Sequence, residues 1–516
     1  MIISLSVLVI TIIVSGTYAL YKAQLSKNIG VNTTTHGLAY YINYVKGTDI
    51  TAATLNPSTS YEGGASSDIE FWKKDDSYDI YGKIELTVNT IGTNLSNSPA
   101  LKYAVVNNGN VLKEGSLKGT TSGSKVTILK NLYLEQTKQI YTVYVWLDNS
   151  EELGNISNES LSISVDCTAS LQKEPTAADT IISLYTSAAK VTATNNSITY
   201  NTAPSVSLMN DRLGGTTTDL DGGNIRYYGA NPNNYIYFNC SDYSNQTSST
   251  CETWRIIGVF DGKLKLIKGS QIGTYSWDNK NTSTGEESNS GKNDWTTARL
   301  MKLLNPVDYY INDNNDKDSE GNYLGYSLYY NSTSGKCYSG KNNATVDCDF
   351  TSTGIKNDET RNMIAETTYN LGGWNTFTVY PNEIYEYERG TTVYTGRLPT
   401  WTGKIALAYP SDYGYAADLN QCVNKQLNKY NDSTCTSNNW MKSIITNNGS
   451  NDGWLLTPHS NYSYIAWGVI LSGIMGGNHA YYSSYGSAPV LYLSSELGIE
   501  SGAGDGSSSN PYKLSA

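Results

Sequence analysis

The sequence has little histidine, phenylalanine and charge. Its 516 residues include three histidines (His36, His459 and His479) and 5 phenylalanines, and only 16% of them are charged. So few histidines argue against a multi-histidine metal site or a histidine-based catalytic triad. Lys and Arg number 36 against 47 Asp and Glu, which leaves a net charge of −11. This balance provides no basic surface for nucleic acid or for anionic membranes.

Tyrosine is abundant instead, with 43 residues. Because charge is scarce, solubility must come from tyrosine hydroxyls and from Asn, Ser and Thr. The 39% of apolar residues are enough to bury a core. A typical domain of about 100–200 residues predicts two to four domains.

The first 21 residues carry no charged side chain. The apolar run is long enough for either a spanning helix or a secretion signal. Thr17 and Ala19 suit a cleavage site after Ala19, whereas a retained anchor would place Lys22 and Lys27 outside, against the positive-inside tendency. We therefore predict a signal peptide or membrane anchor over residues 1–21, with cleavage favoured. The expected location is extracellular or at the cell surface.

Residues 28–169 alternate between apolar and polar side chains, as half-buried strands require. The clearest runs are Ile84–Asn89, Tyr141–Leu147 and Leu161–Cys167. Turn signals separate the runs, and no segment has a helical period. The pattern predicts an all-β sandwich of about seven strands, of the Ig-like or jelly-roll kind.

This part of the chain resembles the camelysin/TasA-type exported proteins of Gram-positive bacteria. The resemblance rests on the small residues of Val14–Ala19 and on the runs Leu101–Val106, Tyr141–Leu147 and Ser162–Asp166. It implies a jelly-roll-like sandwich and an exported location, and the family includes matrix-fibre subunits. Camelysin has been classed as a metallopeptidase, but this sequence has no His-Glu-x-x-His motif. The peptidase activity is therefore not carried over.

Residues 170–223 are rich in Ala, Thr, Ser and Asn and contain one short predicted helix, Ala177–Leu184. We interpret them as a linker or lead-in segment. Eight of the ten tryptophans and six of the seven cysteines follow Asn224, so residues 224–516 are predicted to form a second, α+β domain. Its expected elements are a hairpin (Trp254–Phe260 with Leu264–Ile267) and short helices at Trp295–Leu304, Asn357–Gly372 and Trp440–Ile445.

The cysteines of the second domain are spaced as three local pairs. We predict disulfides between Cys240 and Cys251, Cys337 and Cys348, and Cys422 and Cys435, which an exported chain permits. This pairing is one of 15 connectivities and rests on proximity alone; six free thiols in a reducing compartment are the alternative. Cys167 follows Leu161, Ile163 and Val165 in parity, which favours a buried thiol over an intermolecular bridge.

Three groups of residues are candidates for a metal or catalytic site. The acidic loop 313–322 imitates the start of a Ca²⁺ loop, but Ser327 stands where a bidentate Glu is needed. His459 and His479 have no carboxylate or cysteine at ligand spacing, so we expect ordinary surface or binding-face histidines. Glu383, Glu386 and Glu388 could supply an acid/base pair but have no partner on another segment. We therefore predict no catalytic residue, no cofactor and no metal, and hence not an enzyme.

The stretch from Gly453 to Leu493 holds the predicted binding residues. Short apolar strands bracket loops of Tyr, Asn, Ser and His, in which tyrosines offer rigid contact area and Ser and Asn offer adaptable hydrogen bonds. The competing interpretation is that these tyrosines merely cover strands. The predicted ligand-binding residues are Asn461, Tyr462, Tyr464, Trp467, Asn478, His479, Tyr481, Tyr482 and Tyr485.

The second domain resembles an uncharacterised domain of bacterial surface proteins. The resemblance rests on this stretch and on Arg226–Tyr235, Thr402–Leu407 and Tyr409–Ala416. Its closing region is similar to the C-type-lectin-like fold of formylglycine-generating enzymes and of retroelement-diversified variable proteins. Members commonly have Gly-Val-Arg-Pro where this chain has Gly486–Pro489. The oxidase members need reactive thiols, whereas each cysteine here has a local partner, so the resemblance implies a binding domain.

The sequence thus supports three functions. The first is an exported cell-surface or matrix protein that binds a glycan or protein on another cell or in the matrix. The second is a fibre subunit that self-assembles by strand addition through the amino-terminal sandwich. The third is a secreted hydrolase of surface polymers. The first is preferred because the Tyr/Asn/Ser loops are the most specific feature.

Overall fold

The computed structural model describes residues 23–24, 41–51, 55–149, 151, 153, 156, 159–211, 223–279, 290–310, 325–338, 344–500 and 502–515. The predicted signal or anchor segment, 1–21, and the acidic loop, 313–322, lie outside these residues. The chain divides into two compact units, Met1–Glu174 (unit 1) and Pro175–Ala516 (unit 2). Within the described part, no helix is long and apolar enough to cross a membrane.

The described residues of unit 1 form strands, together with one short helix, α1 (Thr93–Asn97), and a 3₁₀ turn (Tyr61–Gly63). The strands are β1 (Ala23–Gln24), β2 (Ile42–Val45), β3 (Ile50–Thr51), β4 (Pro57–Ser58), β5 (Ala65–Lys73), β6 (Tyr81–Ile91), β7 (Leu101–Asn107), β8 (Asn110–Ser116), β9 (Lys125–Tyr133), β10 (Ile140–Asp148) and β11 (Leu161–Ser170). One sheet has the order β1-β11-β6-β9, with β3 also on β11. The other has the order β2-β5-β10-β7-β8, with β4 on β10.

The two sheets of unit 1 share one hydrophobic core. Tyr141, Val143, Val145 and Leu147 of β10 point into it, and so does the series from Leu161 to Cys167 in β11. The alternation that the sequence shows therefore places one face of β10 and of β11 inside. The β-rich fold predicted for this part is confirmed, with eleven described strands where about seven were expected. Cys167 is a free, buried thiol, as its parity predicts.

Unit 2 combines short helices with a nine-stranded sheet and several small ones. Its strands are β12 (Val191–Asn195), β13 (Ile198–Ala203), β14 (Leu208–Asn210), β15 (Ile225–Tyr227), β16 (Tyr235–Phe238), β17 (Glu252–Phe260), β18 (Lys263–Lys268), β19 (Ser334–Cys337), β20 (Val346–Asp349), β21 (Thr367–Asn370), β22 (Thr400–Gly403), β23 (Ile405–Ala406), β24 (Gly453–Pro458), β25 (Ile465–Val469), β26 (Met475–His479), β27 (Val490–Tyr492), β28 (Gly498–Ile499) and β29 (Leu514–Ser515). The large sheet runs β12-β13-β14-β15-β17-β18-β27-β23, with β16 on β17. The smaller sheets are β24-β25-β26, β19-β20, β21-β22 and β28-β29.

The described helices of unit 2 are short. They are α2 (Ala177–Ser187), α3 (Arg299–Leu304), α4 (Asp358–Met363), α5 (Pro381–Arg389), α6 (Pro410–Tyr415), α7 (Ser433–Ser437) and α8 (Trp440–Ile445), with 3₁₀ turns at Pro204–Val206, Val307–Tyr309, Leu427–Lys429 and Asn447–Gly449. The expected hairpin forms from β17 and β18. The expected helix from Asn357 is wrong beyond Met363: Asn357 does cap α4, but Thr367–Asn370 form β21 and pair with β22.

The boundary between the units lies earlier in the chain than the sequence suggests. Unit 2 begins at Pro175, within the residues 170–223 that the sequence marks as a linker or lead-in segment. Helix α2 buries Ala177, Ala178, Ile181 and Tyr185 in the core of unit 2. The helix predicted at Ala177–Leu184 is thus confirmed and extends to Ser187, and a capping box between Thr176 and Asp179 begins it.

Candidate functional site

The predicted binding residues lie on and around the three-stranded sheet β24-β25-β26. In this sheet Ile465 pairs with His479 and Trp467 with Gly477. Both faces of β24 are covered, because the consecutive residues Trp454, Leu455 and Leu456 are all fully buried, and so is Trp467 of β25. The loop between β24 and β25, residues 459–464, and the residues that follow β26 carry the polar and aromatic side chains.

One asparagine, Asn293, fixes the 459–464 loop. Its amide nitrogen lies 3.0 Å from the His459 carbonyl, 2.7 Å from that of Tyr462 and 2.9 Å from that of Ile465. Its backbone N–H donates to the Ser463 carbonyl at 2.9 Å. Buried amide groups that satisfy several carbonyls hold a loop in one conformation. The loop is therefore anchored by a residue far away in the sequence.

His459 is the first residue of this loop, and its side chain points inward, so that it is only 3% exposed. Its Nδ1 accepts a hydrogen bond from the Asn461 N–H at 3.1 Å, and the ring packs against Phe377 and Tyr462. Burial lowers the pKa of His459, although a hydrogen bond to the backbone of Asn375 opposes this. The expectation of a surface or binding-face histidine is thus corrected for His459, which supports the loop from inside.

Five rings form a continuous group at the end of the sheet. Tyr464 lies 5.9 Å from Tyr462 and 4.7 Å from His479, measured between ring centroids. His479 lies 6.0 Å from Tyr481 and 5.9 Å from Tyr482, and these two tyrosines stack at 4.8 Å. Tyr462 and Tyr482 are 48% and 38% exposed. We call these five residues, with the exposed Asn461, the tyrosine surface.

The backbone beneath the tyrosine surface is held on both sides. The Ala480 N–H donates to the Tyr464 carbonyl at 2.8 Å, which joins the end of β26 to the 459–464 loop. The Tyr481 N–H donates to the Ser290 carbonyl, and the Ser276 hydroxyl donates to the Tyr481 carbonyl at 2.8 Å. The rings therefore stand on a fixed backbone, which lowers the entropic cost of binding.

Three of the predicted residues contribute little or nothing to this surface. Trp467 is fully buried and packs on Phe377, and Tyr485 is 3% exposed and stacks on Trp454 at 4.1 Å. We therefore reassign both to the core. Asn478 is half-buried, and its side-chain oxygen accepts a hydrogen bond from the His479 N–H. It therefore supports the backbone at the end of β26. Trp467 lies in a stretch of β25 that is buried on both faces, since Ala466 and Val469 are also fully buried.

The residues that sequence reasoning missed come from distant segments. Asn293, Asn375 and Phe377 support the loop, and Arg397 donates to the Ser463 carbonyl at 3.3 Å. None of them belongs to a motif, and an isolated asparagine before a helix looks like any turn residue. Their role follows only from the tertiary fold.

The glutamates considered for acid/base chemistry lie on α5. Glu383 caps this helix by accepting from the Tyr380 N–H at 2.9 Å. Burial raises the pKa of Glu388 to about 7, and Arg389 and Ser411 oppose the shift. Glu388 is fully buried, so a substrate cannot reach it. Among the described residues, no group of three or more His, Cys, Asp or Glu side chains could hold a metal ion.

Two of the segments on which the surface-domain resemblance rests, Arg226–Tyr235 and Tyr409–Ala416, contribute to a buried charge network. Arg226 of β15 pairs with Asp211 and with Asp412 of α6, the latter at 2.9 Å, and Lys265 of β18 also pairs with Asp412. All four residues are at most 4% exposed. Because each charge has a partner, the network links the large sheet to α6 and serves the fold.

All three predicted disulfides are present. Cys240 pairs with Cys251, Cys337 with Cys348 and Cys422 with Cys435. Such bonds persist in oxidising compartments, so the covalent structure of unit 2 fits an extracellular environment.

Comparison with known proteins adds little. No family model matches the chain, and no curated protein matches it. Among solved structures, the chain is similar to a receptor-binding domain of botulinum neurotoxin mosaic serotype C/D, with 12% identity, a TM-score of 0.15, and coverage of 52% of this chain and 75% of that one. It is also similar to a botulinum neurotoxin serotype D binding domain, with 10% identity, a TM-score of 0.13, and coverage of 49% and 75%. Scores this low carry no argument about fold or function.

Proposed function

We propose that unit 2 is a non-enzymatic, C-type-lectin-like module that binds a glycan or protein ligand through the tyrosine surface. The observation that carries the proposal is the connected set of partly exposed rings on a backbone fixed by Asn293. Tyrosine rings stack on sugar faces or on apolar side chains, and their hydroxyls, with Asn461, add hydrogen bonds at low entropic cost.

The same proposal places the protein outside the cell, on the surface or in a matrix. The three disulfides support this location, together with the uncharged segment 1–21 and the net charge of −11. A chain without a basic surface fits saccharide or protein partners better than nucleic acid.

Arrays of glycans and of bacterial and host surface proteins, probed with the full chain, test the proposal. We expect saturable binding that falls at least about tenfold in Tyr462→Ala/Tyr482→Ala, because exposed aromatic anchors dominate such interfaces. Tyr78→Ala is the matched control, since Tyr78 is a 45% exposed tyrosine of unit 1. Absence of binding, or equal loss in the control, would contradict the proposal.

A second candidate function, self-assembly into fibres, is favoured by one feature of unit 1. Strand β11 pairs on its outer side with β3 at Ser162 and Ile163 and with β1 at Thr168 and Ala169. Between these contacts, residues 164–167 have no strand partner on that side among the described residues. A partly open edge can accept a strand from another copy. Concentration-dependent filaments in electron micrographs would support this function, and a monodisperse protein at high concentration would exclude it.

A further inference from the structure

A cleft of unit 2 lies among β16, β17, β18 and α8. Its volume is about 480 Å³, and its lining includes Tyr235, Glu252, Arg255, Lys268, Ser270 and Ser443. This volume lies within the range of about 300–1,000 Å³ of small-molecule sites. None of these residues belongs to the tyrosine surface.

Arg255 is the unusual member of this lining, because it is 6% exposed and yet has no carboxylate among its contacts in the described residues. Its Nε donates to the side-chain oxygen of Asn234, and its Nη2 donates to the Pro232 carbonyl at 3.3 Å. The guanidinium lies 3.6 Å from the ring centroid of Tyr235 and 4.9 Å from that of Trp440. Buried arginines are normally paired with acids. The remaining N–H groups of Arg255 are available to a ligand in the cleft that it lines.

The other charges of the cleft limit the charge of that ligand. Lys268 forms an ion pair with Glu252, which also accepts from the Trp254 indole N–H at 3.0 Å. The lining therefore carries Arg255 (+1), Lys268 (+1) and Glu252 (−1), a sum of +1. A monoanion balances the net charge of +1, whereas a dianion such as a phosphate monoester exceeds it and is repelled more strongly by Glu252.

The rim of the cleft indicates what is attached to the anionic group. Ser270 and Ser443 are exposed, and Thr253 adds a third hydroxyl. The Tyr235 ring that covers Arg255 is itself partly exposed. Hydroxyl groups beside an aromatic ring suit a hydroxylated ring better than an apolar chain.

We propose that this cleft binds the carboxylate of a sugar acid, with the Arg255 guanidinium as its bidentate partner and the rim hydroxyls against the sugar ring. Arginine recognises planar carboxylates through two parallel N–H···O bonds. A uronic acid residue of an acidic polysaccharide carries this chemistry. The site is independent of the tyrosine surface, so either can fail without the other.

Calorimetric titration of the full chain with sodium glucuronate tests the proposal, with glucose as the neutral comparison. We expect saturable binding of glucuronate and none of glucose. Arg255→Gln should weaken binding about tenfold or more, since charge-assisted bonds contribute about 1.5–3 kcal/mol. Glu252→Gln should tighten binding, because it removes the repelling carboxylate while keeping an acceptor for the Trp254 N–H.

Because Arg255 is buried, its replacement tests binding and the folding of the cleft together, so a rim variant provides the second test. Ser270→Trp fills the opening without touching Arg255 and should abolish binding, whereas Ser270→Ala should retain most of it. Tyr462→Ala/Tyr482→Ala should leave glucuronate binding unchanged. The proposal is overturned if the unmodified protein does not bind glucuronate, or if Ser270→Trp binds it normally. Tighter binding of a short peptide with a free carboxyl terminus would overturn the assignment to a sugar acid.

Discussion

Asp412 is the residue on which the buried charges of unit 2 depend. Burial opposes its ionisation, but Lys265 and Arg226 hold its pKa below the usual value. Asp412→Asn would leave both cations buried without their shared carboxylate, and we expect unit 2 to lose about 3–5 kcal/mol in free energy of unfolding. Urea titration followed by tryptophan fluorescence measures this loss.

The control for this prediction is Asp347→Asn. Asp347 pairs with Lys336 on the surface, where its side chain is 88% exposed. Exposed ion pairs contribute little to stability, so this variant should unfold at nearly the urea concentration of the original protein. Equal effects of the two substitutions would show that the Asp412 network does not support the fold.

His459 predicts a pH dependence of stability. Burial lowers its pKa below the ordinary 6.5, with a hydrogen bond to Asn375 opposing the shift. The unfolded chain therefore binds a proton more readily, and the contribution of neutral His459 is lost as the pH falls below 6.5. His459→Gln cannot titrate, so the melting temperature of the original protein should fall relative to this variant between about pH 7.5 and 5. A difference that does not change with pH would contradict the prediction.

Individual residues were predictable where a strand fixes their direction. The parity of Leu161 to Cys167 correctly places Cys167 inside, and the cysteine spacing correctly gives the three disulfides. Parity does not decide Trp467, because β25 is buried on both faces from Ala466 to Val469. The burial of His459 depends on Phe377 and Asn375, which no local pattern connects to it.

At the scale of elements, Asn293 is the side chain that lies closest to several backbone carbonyls of the 459–464 loop and of the strand after it. Asn293→Ala removes the amide that lies within hydrogen-bond distance of three carbonyls. We expect a loss of about 1–3 kcal/mol, since buried carbonyls left without donors are costly. Hydrogen exchange of residues 460–464 should become faster, and ligand binding by the tyrosine surface should weaken.

Asn293→Asp tests whether the amide N–H groups of the side chain, and not its size, hold the loop. The carboxylate keeps the size of asparagine but places a charge against three carbonyl oxygens, so it should perturb the loop more than alanine does. Asn461→Ala is the matched control for hydrogen exchange alone, because Asn461 is an exposed asparagine on the same loop but belongs to the tyrosine surface. Unchanged exchange in both Asn293 variants would refute the role of this residue.

The sequence predicts a helix or strand correctly where neighbouring residues determine it. The hairpin of β17 and β18 and the helix α8 match their predicted positions because turn residues and caps define them. The helix expected from Asn357 to Gly372 stops at Met363, since Thr367, Thr368 and Tyr369 pair with β22 instead. That pairing joins segments far apart in the sequence, and tertiary contacts override the local helical preference.

At the scale of the whole molecule, the two units differ in what stabilises them. Each unit has its own hydrophobic core. Unit 2 contains three disulfides, each closing a loop of 11 or 13 residues, whereas the only cysteine of unit 1 is the buried Cys167. Loop-closure entropy gives each such bond about 3 kcal/mol. Reduction should therefore affect one unit alone.

Differential scanning calorimetry with and without a reducing agent tests this expectation. We expect two transitions, of which one moves to lower temperature on reduction and the other stays in place. A chain that ends at Glu174 identifies the unchanged transition as that of unit 1, because its core contains no disulfide. Cys422→Ser/Cys435→Ser should reproduce part of the shift without reducing agent. If both transitions moved together, the units would not unfold independently, and the division of the chain at Pro175 would not be a thermodynamic one.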